Sequence, residues 1–231
     1  MSVSGARRAA AILCALIVLV AFASPAAAAP APIAPFLDGV LNSVDTYWRQ
    51  TDAAESRPAP SVQHVWVAPG AHAASACGAS ADDNAAFYCP ADDTIYVGQA
   101  LASALYDGVF NGLPGQSAGF GHAAGAFAVA YVVAHEYGHN VQQERGISAR
   151  SFALPTELNA DCLAGTWMAW DYAQGNASSA DEQQLVDAAQ AAGDFEFTNP
   201  DHHGTPDQRR DAVLRGVRSG DPSACDVYLM G

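Results

Sequence analysis

His135-Glu136-Tyr137-Gly138-His139 lies inside an apolar run, residues 123–141, where Phe127, Ala130, Tyr131 and Ala134 recur at helical spacing. Residues four apart on a helix sit one above the other, so His135 and His139 present two imidazoles on one face with Glu136 on its flank. That arrangement suits a divalent metal. Zinc takes imidazole nitrogen readily, and a hydrolytic site needs three protein ligands, a position for water and a carboxylate close enough to take the water's proton. The pattern His-Glu-x-x-His supplies two ligands and the base within a single turn. A purely structural zinc site would use four protein ligands and have no need of the carboxylate.

A third ligand is expected downstream, in Pro155-Thr156-Glu157-Leu158-Asn159-Ala160-Asp161-Cys162-Leu163-Ala164-Gly165-Thr166-Trp167. This stretch reads as the opening of a second helix with proline near its first turn. Glu157 and Asp161 are again four apart, so both can face the first helix. Glu157 completes a His2Glu set, a ligand type of catalytic zinc, while Asp161, one turn further on, can accept the free N–H of a ligand histidine. The spacing also allows the reverse, with Asp161 as ligand and Glu157 in support. Gly138 in the helix interior costs about 1 kcal/mol relative to alanine, which close approach of the Glu157 helix would offset.

These motifs, taken in order, resemble the zincin peptidases whose third ligand is a glutamate, and more narrowly the bacterial neutral zinc metallopeptidase family. The likeness rests on His135–His139, on Glu157 to Gly165 eighteen positions after the last histidine, and on Phe87-Tyr88-Cys89-Pro90 before residues 92–97. It rests also on His203-Gly204-Thr205-Pro206-Asp207-Gln208-Arg209 and on the tail, residues 219–226, and covers about residues 75–228. The resemblance implies zinc-dependent hydrolysis of peptide bonds by a gluzincin-like enzyme. His135, His139 and Glu157 would hold Zn2+, Glu136 would be the base, and Asp161 would support His135 from behind the ligands. By the same analogy His203 is the distal histidine that donates to the oxyanion; the competing reading has it stabilising the tail. Tyr137 stands where an aliphatic residue is common, which should affect packing more than chemistry.

The N-terminus reads as an export signal over residues 1–29. Arg7 and Arg8 precede an apolar stretch, residues 9–23, and Ala27-Ala28-Ala29 offers small residues for cleavage before Pro30. The apolar stretch is shorter than the ~20 residues needed to span a bilayer, so release is expected rather than anchoring; an uncleaved signal would leave an N-terminal membrane anchor. A net charge of −14, with no lysine, argues against nucleic acid and anionic lipid as partners. Four cysteines remain after the signal, an even number that favours two disulfides in an exported chain. Of three pairings, Cys77–Cys89 closes a short loop and Cys162–Cys225 ties the second zinc helix to the tail. A thiolate ligand at Cys162 competes, but helical rotation turns it from the face of Glu157 and Asp161.

Outside the motifs, Phe36, Leu37, Val40, Leu41, Val44, Tyr47 and Trp48 form the stripe of one N-terminal helix. Residues 62–67 alternate as a strand, with His64, like His72, read as a surface residue. Residues 87–97 read as a hairpin; by analogy with zincins, residues 95–97 are the candidate edge for binding an extended peptide, and a plain core hairpin is the competing reading. A helix over 99–110, a Gly- and Pro-rich approach over 111–121 with His122 at its end, a weakly amphipathic helix over 181–192 and a final helix from Pro206 capped by Thr205 complete the chain. Trp167, Met168, Trp170 and Tyr172 are read as core.

The expected architecture is α+β and predominantly helical: two packed helices carrying the metal site plus a small sheet or hairpin. The expected layout is a signal peptide over 1–29, an N-terminal helix and linker over 30–74, and a zincin-like catalytic domain over 75–231. The expected activity is that of a secreted zinc metallopeptidase acting on a peptide or protein substrate. Alternatives are an exported zinc-binding scaffold without turnover, or a hydrolase of cell-wall amide crosslinks.

Overall fold

The computed structural model describes residues 32–78, 80–108, 125–147 and 152–230. The signal segment, residues 111–121 and His122 lie outside them. Helix α1 (Ile33–Ala54) leads into β1 (Gln63–Val67), β2 (His72–Ala74), β3 (Ser80–Asp82), β4 (Ala86–Cys89) and β5 (Thr94–Gly98). Five more helices follow: α2 (Gln99–Tyr106), α3 (Ala126–Glu144), α4 (Leu154–Ala173), α5 (Ser179–Ala191) and α6 (Pro206–Ser219), then a terminal 3-10 helix, Pro222–Tyr228. The fold is α+β and predominantly helical.

Helix α3 is the axis of the core. Its stripe from Ala128 to Val141 is buried nearly all round, as expected of a helix whose polar residues are few and functional. Against it pack Leu37, Val44 and Trp48 of α1, Leu101 and Leu105 of α2, Leu163, Trp167 and Met168 of α4, and Leu185 of α5. Helix α1 is bound to this core by polar contacts as well: the Tyr137 hydroxyl donates to Asp45 at 2.9 Å, and Arg145 meets Asp52 at 2.9 Å. Tyr137 therefore does serve packing, from inside the metal motif. Tyr172, read as core, instead lies 51% exposed, because it falls on the solvent side near the C-terminal end of α4.

Helix ends follow their residue chemistry. Ser178 and Thr205 each close a capping box, with Asp181 and Gln208 respectively, so α5 and α6 start where side chains can satisfy the first free N–H groups. Pro155 and Pro206 occupy first-turn positions, where a missing N–H costs nothing.

The main sheet has the order β1-β5-β4: β5 pairs parallel with β1 and antiparallel with β4. The hairpin expected over 87–97 is present, but residues 95–97 are central rather than at the edge. The reason is β1, which covers the outer side of β5 and leaves β4 as the strand beside α3. Disulfides join Cys77 to Cys89 and Cys162 to Cys225. The second has both cysteines fully buried, which settles Cys162 as a bridge rather than a thiolate ligand. Two such bridges suit an oxidising, extracytoplasmic compartment. Among the described residues no helix is long and apolar enough to cross a membrane.

Candidate metal centre

The site begins with the contact between α3 and α4. A Cβ built on Gly138 would lie 3.1 Å from the Cα of Ala160, so the two backbones nearly touch where the glycine stands. That closeness brings Glu157, in the first turn of α4, over the imidazoles of α3. His135 Nε2 is 3.2 Å from His139 Nε2 and 3.2 Å from Glu157 Oε2, and His139 Nε2 is 3.3 Å from Glu157 Oε1. A tetrahedral zinc with bonds of about 2.0–2.1 Å has ligand-to-ligand edges of about 3.3–3.4 Å; the two histidines approach different oxygens of Glu157 at near that length, and one ligand atom from each of the three residues lies within 4.8 Å of the others. Glu157 Oε2 is buried and makes no directed hydrogen bond, although an imidazole nitrogen is close by. Proximity without a hydrogen bond is what a shared cation would require. His135, His139 and Glu157 could hold a metal ion.

The electrostatics agree. Burial opposes charge on His135, but the Asp161 hydrogen bond and the attraction of Asp161 and Glu157 outweigh it, and the imidazole is pushed up to about 10. His139 is likewise raised, with Glu157 overcoming burial and the repulsion of His135. Burial works against the Glu157 carboxylate too, yet the two histidines hold it well below the usual range. The pocket favours positive charge, whether carried as protons or as a cation.

Behind His135 stands a buried ionic cluster. Asp161 Oδ1 lies 2.9 Å from His135 Nδ1, away from the candidate ligand atoms, so the structure places Glu157 rather than Asp161 with the two Nε2 atoms. Asp161 also accepts from the Tyr131 hydroxyl at 2.5 Å and from Arg209 Nε at 2.8 Å and Nη2 at 2.9 Å. Arg209 donates further to Tyr131 Oη at 2.8 Å and to the Ala192 carbonyl at 3.1 Å. Behind His139 the partner is neutral: Gln142 Oε1 lies 3.0 Å from His139 Nδ1.

Glu136, next to His135 on α3, turns toward β4, where its Oε2 accepts the N–H of Tyr88 at 2.8 Å. The hydrogen-bond alternation of β4 explains why that N–H is available. The Ala85 carbonyl accepts from Gly98 at the start of the ladder, so Phe87 and Cys89 turn their backbone groups to β5 while Ala86 and Tyr88 turn theirs outward. His135, Glu136, His139, Glu157 and His203 all line one cleft of about 370 Å³. His203 comes from the segment between α5 and α6; its N–H donates to Asp194 Oδ2 at 2.9 Å, and its ring is partly exposed to the cleft.

Sequence reading gave no role to Arg209, Tyr131, Gln142 or Tyr88. Gln142 carried a usable signal, since it lies three residues after His139 and so on the same helical face. Arg209 stands in the His-Gly-Thr-x-x-Gln-Arg element, but nothing local shows that its side chain reaches back to α4.

The model of the family described as "Putative neutral zinc metallopeptidase" matches residues 21–228 of this chain, which extends the likeness back through α1. Among curated proteins, the uncharacterized protein Rv2575 of Mycobacterium tuberculosis is 31% identical over 215 residues, covering 81% of this chain and 68% of its own. The uncharacterized protein YpfJ of Escherichia coli K12 is 34% identical over 175 residues, covering 66% of this chain and 57% of its own. No solved structure matches the chain.

Proposed function

Because the chain belongs to the neutral zinc metallopeptidase family, we propose that it is an exported zinc peptidase that cuts peptide bonds in the cleft between β4 and α3. The observation that carries this reading is the group of His135, His139 and Glu157 with Glu136 lining the same cleft. Held by His135, His139 and Glu157, zinc would supply Lewis acidity there, acidifying water and polarising a carbonyl. Glu136 takes a proton from the attacking water as its oxygen bonds to the carbonyl carbon. As the C–N bond breaks, the same carboxyl passes that proton to the leaving nitrogen, so water is added across the bond and no other reactant is needed. The Tyr88 N–H holds Glu136 by one oxygen and so fixes where the proton is received.

An extended substrate would lie along β4, using the outward backbone groups of Ala86 and the carbonyl of Tyr88, whose N–H is already given to Glu136. With the ion bound, Asp161 would accept the Nδ1 proton of His135 and so leave the Nε2 lone pair for the metal. His203 is assigned as donor to the carbonyl oxygen as negative charge develops on it. The two disulfides support an extracytoplasmic site of action.

Glu136→Gln tests the assignment. Hydrolysis of an unbiased peptide library should fall by about 10²–10⁴-fold with zinc content unchanged. Undiminished turnover would remove Glu136 as the base, and a zinc-loaded wild-type protein that leaves every peptide intact would sink the peptidase reading in favour of a scaffold or another amide substrate.

A further inference from the structure

The neutral support behind His139 does not stop at Gln142. Gln142 Nε2 donates to the Thr156 carbonyl at 2.7 Å and to Asn159 Oδ1 at 2.9 Å, and Asn159 Nδ2 donates to the Cys225 carbonyl at 3.0 Å. Both amides are buried, Gln142 at 4% exposure and Asn159 at 1%, so each must be satisfied within the protein.

The direction of this chain follows from its ends. A backbone carbonyl can only accept, so at Cys225 the Asn159 amide must present its nitrogen, and its oxygen then faces Gln142. Gln142 must in turn present nitrogen to Asn159. The Thr156 carbonyl independently demands the same orientation. The Gln142 oxygen is thereby turned on His139, where only a donor fits, so Nδ1 carries the proton and Nε2 is left with its lone pair facing Glu157 and His135. The far anchor is itself covalently fixed, because Cys225 is bonded to Cys162 on α4, 63 positions away in sequence.

We propose that Gln142 and Asn159 are positioning residues that set the ligating nitrogen of His139, and that the terminal 3-10 helix takes part in metal retention through the Cys225 carbonyl. This rests on the reading of His139 as a metal ligand. The relay joins three elements, α3, α4 and the tail, that no ligand-bearing segment alone brings together.

The test uses the full folded protein loaded with zinc. Two quantities are read: the zinc dissociation constant by competition with a chelating indicator, and the solvent exchange of the His139 Nδ1 proton by NMR. Gln142→Met removes the acceptor while keeping the bulk, and should weaken zinc binding by about 10–100-fold and speed exchange of that proton. A merely space-filling role predicts no change in either quantity, because methionine keeps the volume.

Zinc affinity in Gln142→Met within about twofold of wild type, with the proton still protected, overturns the proposal. Should Gln142→Met not fold, Asn159→Ala is read the same way: weaker zinc binding with faster exchange supports the relay, and unchanged values overturn it. His139→Ala separates the two levels: if it binds zinc as tightly as wild type, the ligand reading itself fails, whereas lost binding there with normal binding in both amide variants condemns only the relay.

Discussion

The two imidazoles of the centre face similar demands but are braced by unlike materials. Behind His135 is a cluster of full charges, Asp161 and Arg209 with the Tyr131 hydroxyl, closed off from solvent; behind His139 is a pair of neutral amides ending on a backbone carbonyl. Depth tracks this difference, since the His135 side chain is 8% exposed and that of His139 is 20% exposed. A buried carboxylate is the stronger acceptor for an N–H but must itself be neutralised, and here the Arg209 fork does so with two hydrogen bonds. An amide asks for no counter-charge, so the shallower histidine is held without a second ion. The comparison teaches that the cost of breaking a support depends on what it leaves stranded more than on the bond lost.

That contrast makes its largest prediction at Asp161. Asp161→Ala leaves the Arg209 guanidinium buried without its anion and should destabilise the protein by about 3–5 kcal/mol in urea unfolding. Gln142→Ala strands only neutral groups and should cost about 1–2 kcal/mol in the same assay. Equal losses would break the distinction between the two walls. A double-mutant cycle sharpens it: Asp161→Asn and Arg209→Met together should cost less than the sum of the single changes, with a coupling of about 1–3 kcal/mol. Gln142→Ala combined with Arg209→Met should be additive within about 0.5 kcal/mol.

The smallest expected effect is a dependence on acid. Burial alone would raise the Asp161 carboxyl, but Arg209 and His135 hold it below its ordinary value. A carboxyl with a depressed folded pKa contributes stability above its unfolded value near ~3.9 and loses it as pH falls through the folded value. Chelator-treated wild-type protein should therefore lose stability on acidification below about pH 4, at up to about 1.4 kcal/mol per pH unit for that one group. Asp161→Asn should flatten this part of the profile, and Gln142→Ala should leave its slope unchanged. An identical acid slope in wild type and Asp161→Asn would take the charged wall out of the account.

Much of the centre could be read in advance because it is local. His135 and His139 share a face through helical spacing, Glu157 and Asp161 repeat that spacing, and Gly138 marks where the second helix must come close. Cysteine parity and chain order led to the bridges Cys77–Cys89 and Cys162–Cys225. What could not be read depends on docking between distant segments. The edge of the sheet was misassigned because pairing of β1 with β5 is a long-range event that no hairpin signal encodes. Arg209 and the amide relay were missed for the same reason: their partners lie 48 and 66 positions away. Tyr172 was misjudged because aromatic bulk suggests burial whichever side of a helix it falls on.

Arg209 reaches Asp161 only if α6 lies at one register along α4. A Cβ built on Gly216 would fall 1.9 Å from the Cys162 carbonyl oxygen, and one on Gly165 would fall 2.2 Å from that of Val213. The two helices are thus in main-chain contact at a glycine notch, with no side chains between them to cushion a slide. Gly216 follows Arg209 by two turns on the same face, so a slip of a single turn would carry the guanidinium about 5.4 Å past its carboxylate. The notch works as a detent: two hydrogen atoms in place of two methyl groups index one rod against the other, and the candidate metal ligands on α3 inherit their alignment from residues that never face the cleft.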